Sequence, residues 1–135
     1  MTTLTPEPTP NNTFYVQAVL DPVDPKRAAC AFYTDGDCNP TSRVVPPLNI
    51  PKAAGGVYFV NVPTAANLLL VGAVSDRVDT GIINPGYGSS TGNTVCVLMP
   101  TAQVISKGVL LVFSSQGAPT QLYSSADPTI VNDDV

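Results

Sequence analysis

Two cysteines and two aspartates crowd one short stretch, Cys30-Ala31-Phe32-Tyr33-Thr34-Asp35-Gly36-Asp37-Cys38. Carboxylates one residue apart, with Asn39 just beyond, offer the oxygen ligands that calcium takes. An EF-hand calcium loop, however, spaces its ligands over about twelve positions and closes on a Glu, and no Glu follows Glu7 anywhere in the chain. Zinc would need four nitrogen or sulfur ligands, and there are three cysteines and no histidine. No metal is therefore expected. Asp-Gly supplies the backbone freedom of a tight turn, so residues 35–37 are read as the tip of a hairpin. An odd cysteine count suits reduced thiols. Cys30 and Cys38 are read as free, with a hairpin-spanning disulfide as the alternative, and Cys96 as a small buried apolar residue.

Other constellations fare no better as catalysts. Residues 81–92, GIINPGYGSSTG, have the glycines of a phosphate loop but no Gly-Lys-Ser/Thr step to open a helix. They read as a long surface loop, with Tyr87 as a candidate contact residue. Serines are plentiful, but without histidine the usual general base is missing. Asp76 and Asp79 flank Arg77 and could do acid–base work as a carboxylate pair, although charges beside a turn on a solvated face account for them as well. No catalytic residue and no cofactor is assigned, and an enzyme is not expected.

The elements that hold these residues must be short. Fourteen prolines and ten glycines break the chain too often for long helices. Between them lie segments rich in Val, Ile, Thr, Tyr and Phe, which predict strands at 14–20, 28–33, 57–62, 68–74, 94–99, 109–113 and 120–123. In Val104-Ile105-Ser106-Lys107-Gly108 and Gly117-Ala118-Pro119 the glycines are read as turns flanking a core strand. Residues 64–70 are ambiguous between a short helix after Pro63 and a strand. The fold expected is all-β, a small β-barrel or sandwich of about seven short strands with an extended N-terminal arm. The arm covers residues 1–13, rich in Pro and Thr; the β domain covers 14–123; residues 124–135 form a polar tail. Such ends either extend into solvent or lie along a neighbour. The proline-rich stretch 44–52, VVPPLNIPK, is extended and is read as a crossing between sheets.

Composition narrows the partners. The 135 residues are enough for one domain with its own core. Charged residues are 12% of the chain, about half the usual share, which leaves polar uncharged and apolar atoms to cover the surface and favours association. A net charge of −4 with six scattered Lys and Arg offers no stripe for phosphates, so no nucleic acid is expected. The start, MTTLTPEPTP, lacks the charged and apolar regions of a secretory signal, and no run approaches the ~18 apolar residues of a membrane helix. Synthesis in a cytosol, with no membrane partner, is expected.

Residues 68–123 resemble the small β-barrel proteins that decorate the heads of tailed phages. The features that carry the likeness are Leu70-Val71-Gly72-Ala73-Val74, then Thr94-Val95-Cys96-Val97-Leu98-Met99, then Val104 to Val112 with Gly108, followed by Gly117-Ala118-Pro119. The first 60 residues do not follow that pattern. The resemblance implies a capsid decoration, or cement, protein on the virion surface. Its partners would be the major capsid protein and copies of itself, with a trimer the usual assembly. On this reading the contact residues are Phe14, Tyr15 and Val16, where the arm meets the body, and Tyr87. The alternatives are another minor virion protein, coat or fibre base, or a carbohydrate- or ligand-binding β module. The lack of Trp counts against sugar stacking.

Overall fold

In TFYVQAVL every second side chain is apolar, and Phe14, Val16 and Ala18 turn the same way onto the core, the signature of a half-buried strand. The computed structural model describes residues 8–75, 82–83, 94–115, 118–125 and 128–133. Within them it places eleven strands: β1 (Thr13–Leu20), β2 (Arg27–Tyr33), β3 (Arg43–Val44), β4 (Leu48–Asn49), β5 (Gly56–Asn61), β6 (Leu68–Ser75), β7 (Ile82–Ile83), β8 (Thr94–Leu98), β9 (Ser106–Ser115), β10 (Ala118–Ser125) and β11 (Thr129–Val131). The only helical pieces among the described residues are 3-10 turns at Pro40–Ser42 and Lys52–Ala54. The protein is all-β.

The strands form one mixed sheet in the order β4-β11-β9-β10-β2-β1-β5-β8-β7, with β3 beside β2 and β6 beside β9. It is not a closed barrel. The sheet curls until β6 comes against β8, yet no backbone ladder joins the two among the described residues. Most neighbours are antiparallel, while β1 with β5, β10 with β2 and β11 with β4 run parallel.

The inward side chains alternate along the long strands. Phe14, Val16 and Ala18 from β1 meet Val57 and Phe59 from β5, Val95 and Val97 from β8, Leu68 and Leu70 from β6, and Val109, Leu111 and Phe113 from β9. Phe59 lies between Phe14 and Phe32, with ring centroids 6.2 Å and 6.0 Å away. Fully burying side chains of this size stabilises by about 1.5–3 kcal/mol each.

All seven expected strands are present, and four more accompany them. β3, β4, β7 and β11 hold two or three residues each, less than two periods of alternation, so their pairing and not their pattern makes them strands. The ambiguity at 64–70 resolves into a turn and then a strand. The Thr64 hydroxyl donates to the Ala18 carbonyl (2.8 Å) and accepts from the Ala66 amide (3.2 Å), and Asn67 takes a left-handed φ of 55° before β6 begins. Gly108 is not a turn residue: it lies within β9, opposite Thr129 of β11. Gly117 falls outside the described residues.

The segment 44–52 carries the chain from β3, at β2, to β4, at β11. Its Leu48 and Ile50 are buried, and the Ile50 amide donates to the Val131 carbonyl (2.9 Å). The C-terminal residues 128–133 are not a free polar tail, because Ile130 is fully buried and β11 pairs with both β9 and β4. Asn132, also fully buried, fixes the preceding loop. Its side-chain nitrogen donates to the Pro100 (2.8 Å) and Gln103 (2.9 Å) carbonyls, and its oxygen accepts from the Ile105 amide.

Candidate functional site

Tyr15 and Tyr58 are half-buried on the outer side of β1 and β5. The parallel register sets Thr13 against Tyr58 and Tyr15 against Val60, so the two tyrosines are diagonal neighbours on one face. They floor a cleft of about 620 Å³, bounded by Pro8 and Pro10 and by Asp35 and Gly36.

One bank of the cleft is held by Asn12. Its side-chain oxygen accepts from the Thr9 amide (2.6 Å) and hydroxyl (2.9 Å), and its nitrogen donates to the Gly56 carbonyl (3.1 Å). The Tyr58 amide in turn donates to the Asn12 carbonyl (2.8 Å). Residues 9–12 are thereby fastened to β5, and the described part of the arm lies on its own domain.

The other bank is the turn after β2. The Asp35 carboxylate accepts from the amides of Asp37 (2.8 Å) and Asn39 (3.4 Å) and from the Asn39 side chain (3.3 Å). These bonds make Asp35 a turn-forming residue. Hydrogen bonding, from the Ser42 side chain above all and then from Asn39 and Asp37, outweighs burial and holds its pKa below the usual aspartate value. The positive φ of this turn falls on Cys38 (53°). Gly36 lies against Tyr15: a Cβ there would sit 3.4 Å from the ring.

The cysteines are free thiols. Burial pushes Cys30 up to about 12. Cys38 is raised by burial and by the carboxylates of Asp35 and Asp37. Cys96 is raised by burial, against a hydrogen bond with Tyr58. All three stay protonated at neutral pH, when they are weak nucleophiles.

Lys107 is 1% exposed, and its ammonium donates to the Leu98 carbonyl (2.7 Å), tying β9 to the end of β8. Nothing in the local sequence, a Lys beside a Gly, marks it as a core residue.

A second surface lies on the outside of β6, β9 and β10. Val74 faces Leu110, Gly72 faces Val112, and Ser114 lies between Leu69 and Leu122. Leu68 and Leu70 point inward, and a bulge between Leu70 and Gly72 shifts the alternation so that Val74 as well as Val71 is exposed while Ala73 packs against the core. Val74 and Leu122 are 57% and 61% exposed. The single charge on these three strands, Lys107, is turned into the core, so the face is uncharged and sets Val and Leu side chains among Ser114 and Ser124.

Of the expected contact residues, Phe14 and Val16 belong to the core, 5% and 0% exposed. They support the cleft from below and offer no contact face. Tyr15 reaches the surface. Tyr87, Asp76, Arg77 and Asp79 lie outside the described residues. The partner of Tyr15, Tyr58, escaped the sequence reading because its place beside Tyr15 depends on a parallel register between strands some forty residues apart. Compared with known protein families and with curated proteins, the chain matches none, and its function is read from these two surfaces.

Proposed function

We propose that the chain is a virion structural protein that binds the outside of an assembled capsid and stabilises it, a decoration or cement protein. The observation that carries this reading is the uncharged face of β6, β9 and β10. It lies within the stretch that resembles the phage decoration proteins. Exposed Val71, Val74 and Leu122 on one uncharged face support a protein–protein contact there. Binding only the assembled lattice stabilises it by mass action, and joining several copies in a trimer raises the effective concentration of each weak contact. The partners on this reading are the major capsid protein and copies of the chain itself.

Light scattering coupled to size-exclusion chromatography, together with the protein profile of purified virions, tests the proposal. The wild-type chain is expected as a trimer and as a virion component. Leu122→Asp, at a well-exposed position, is expected to shift it to monomer or release it from particles, with the circular dichroism spectrum unchanged. A wild-type monomer that is missing from the virion profile would sink the reading.

A further inference from the structure

We propose that the cleft over Tyr15 and Tyr58 receives a proline-rich, extended segment of another protein, one carrying a Lys or Arg beside its prolines. The floor is two tyrosine rings from adjacent strands, and the banks are Pro8 with Pro10 on one side and the Asp35–Gly36 turn on the other. Proline fixes the polyproline II conformation before binding and so loses little entropy in a groove. Aromatic walls accept its flat apolar rings, and this is how peptide-recognition modules read such segments. A volume of about 620 Å³ falls within the ~300–1,000 Å³ of sites that enclose small ligands. The Tyr15 hydroxyl can donate to the carbonyls of polyproline II, which are free of internal bonds, while the Tyr58 side chain bonds Cys96 and offers its ring face.

Charge selects the flanking residue. Asp35 is the one charged side chain among the described lining residues, and Asp37 stands two positions along in the same turn. Arg43 lines the adjoining cleft, which shares Pro10 and Thr34. A basic residue next to the prolines therefore meets Asp35. The site is separate from the uncharged face of β6, β9 and β10, and its test needs no capsid.

The full isotope-labelled chain is titrated with the hexapeptide Pro-Pro-Pro-Pro-Pro-Arg, with its Glu-ended counterpart, and with a Gly-Ser peptide of equal length, followed by amide chemical shifts. Shifts are expected to gather at Tyr15, Thr34, Gly36 and Tyr58, with the Arg peptide about fivefold tighter than the Glu peptide, as a single exposed charge contact allows. Tyr15→Ala should weaken the Arg peptide about tenfold, in the manner of an aromatic anchor. Asp35→Asn should remove the preference for Arg. Should that change loosen the turn, Asp37→Asn, whose side chain caps nothing in it, should still reduce the preference. No shifts at millimolar Arg peptide, equal shifts with all three peptides, or shifts produced only by an oligosaccharide such as chitotetraose would each overturn the proposal.

Discussion

Asn61 closes β5 with its side chain turned inward, 5% exposed, and neither its oxygen nor its nitrogen has a hydrogen-bond partner among the described residues. A buried amide left unpaired costs about 1–3 kcal/mol, and leucine fills nearly the same space without that cost. Asn61→Leu is therefore expected to raise stability by about 1–3 kcal/mol in urea unfolding; a loss of stability would show that the amide serves a bound group. Neither Asn61 nor Lys107 was legible beforehand. In residues 57–62 both faces carry apolar groups, so alternation does not say which way Asn61 points, and Lys107 beside a glycine looks like a turn. What decides both is the identity of the neighbouring strands. The turn at Asp35, by contrast, was legible from Asp-Gly, although the positive φ falls on Cys38 and not on Gly36, and the aspartate side chain closes it across two to four residues.

Strand by strand, the long elements were visible in the sequence because five to ten residues of β-branched and aromatic side chains bounded by Gly or Pro have few other uses. The short ones exist only as partners. β11 shows this most clearly: SSADPTIVNDDV looks polar, yet Ile130 fills the core and Asn132 holds the 100–105 loop by three bonds. Asn132→Ala leaves the Ile105 amide and the two carbonyls unpaired by the protein. The expected cost is about 1–3 kcal/mol, with faster hydrogen exchange at Ile105 while the amides of β1 and β5 stay protected. Uniform loss of protection would mean that β11 is part of one cooperative unit with the central strands. The candidate cleft was half legible: Tyr15 could be singled out where the arm meets the body, but the company of Tyr58 and the proline bank depends on the β1–β5 register and the Asn12 bonds.

Over the whole molecule, few charges, a core shared by most of the long strands and one continuous curled sheet describe a body that owes its surface properties to polar uncharged and apolar groups. Its two candidate contact surfaces differ in kind, one an uncharged strand face with exposed Val and Leu, the other a cleft floored by tyrosines with a carboxylate at the rim. The placement of β1 has a bearing on assembly in time. It is flanked by β2, its immediate successor along the chain, and by β5, which the chain reaches only after residues 21–55 have been laid down. A hairpin of β1 and β2 can close early, but its second edge waits on a loop closure whose entropy must be met before the contacts that reward it exist. Refolding is therefore expected on the millisecond-to-second scale of β-rich domains, measured by stopped-flow fluorescence of the tyrosines. Tyr15 and Tyr58 should report late, since the ring-lined hollow exists only once the slow parallel joint has formed.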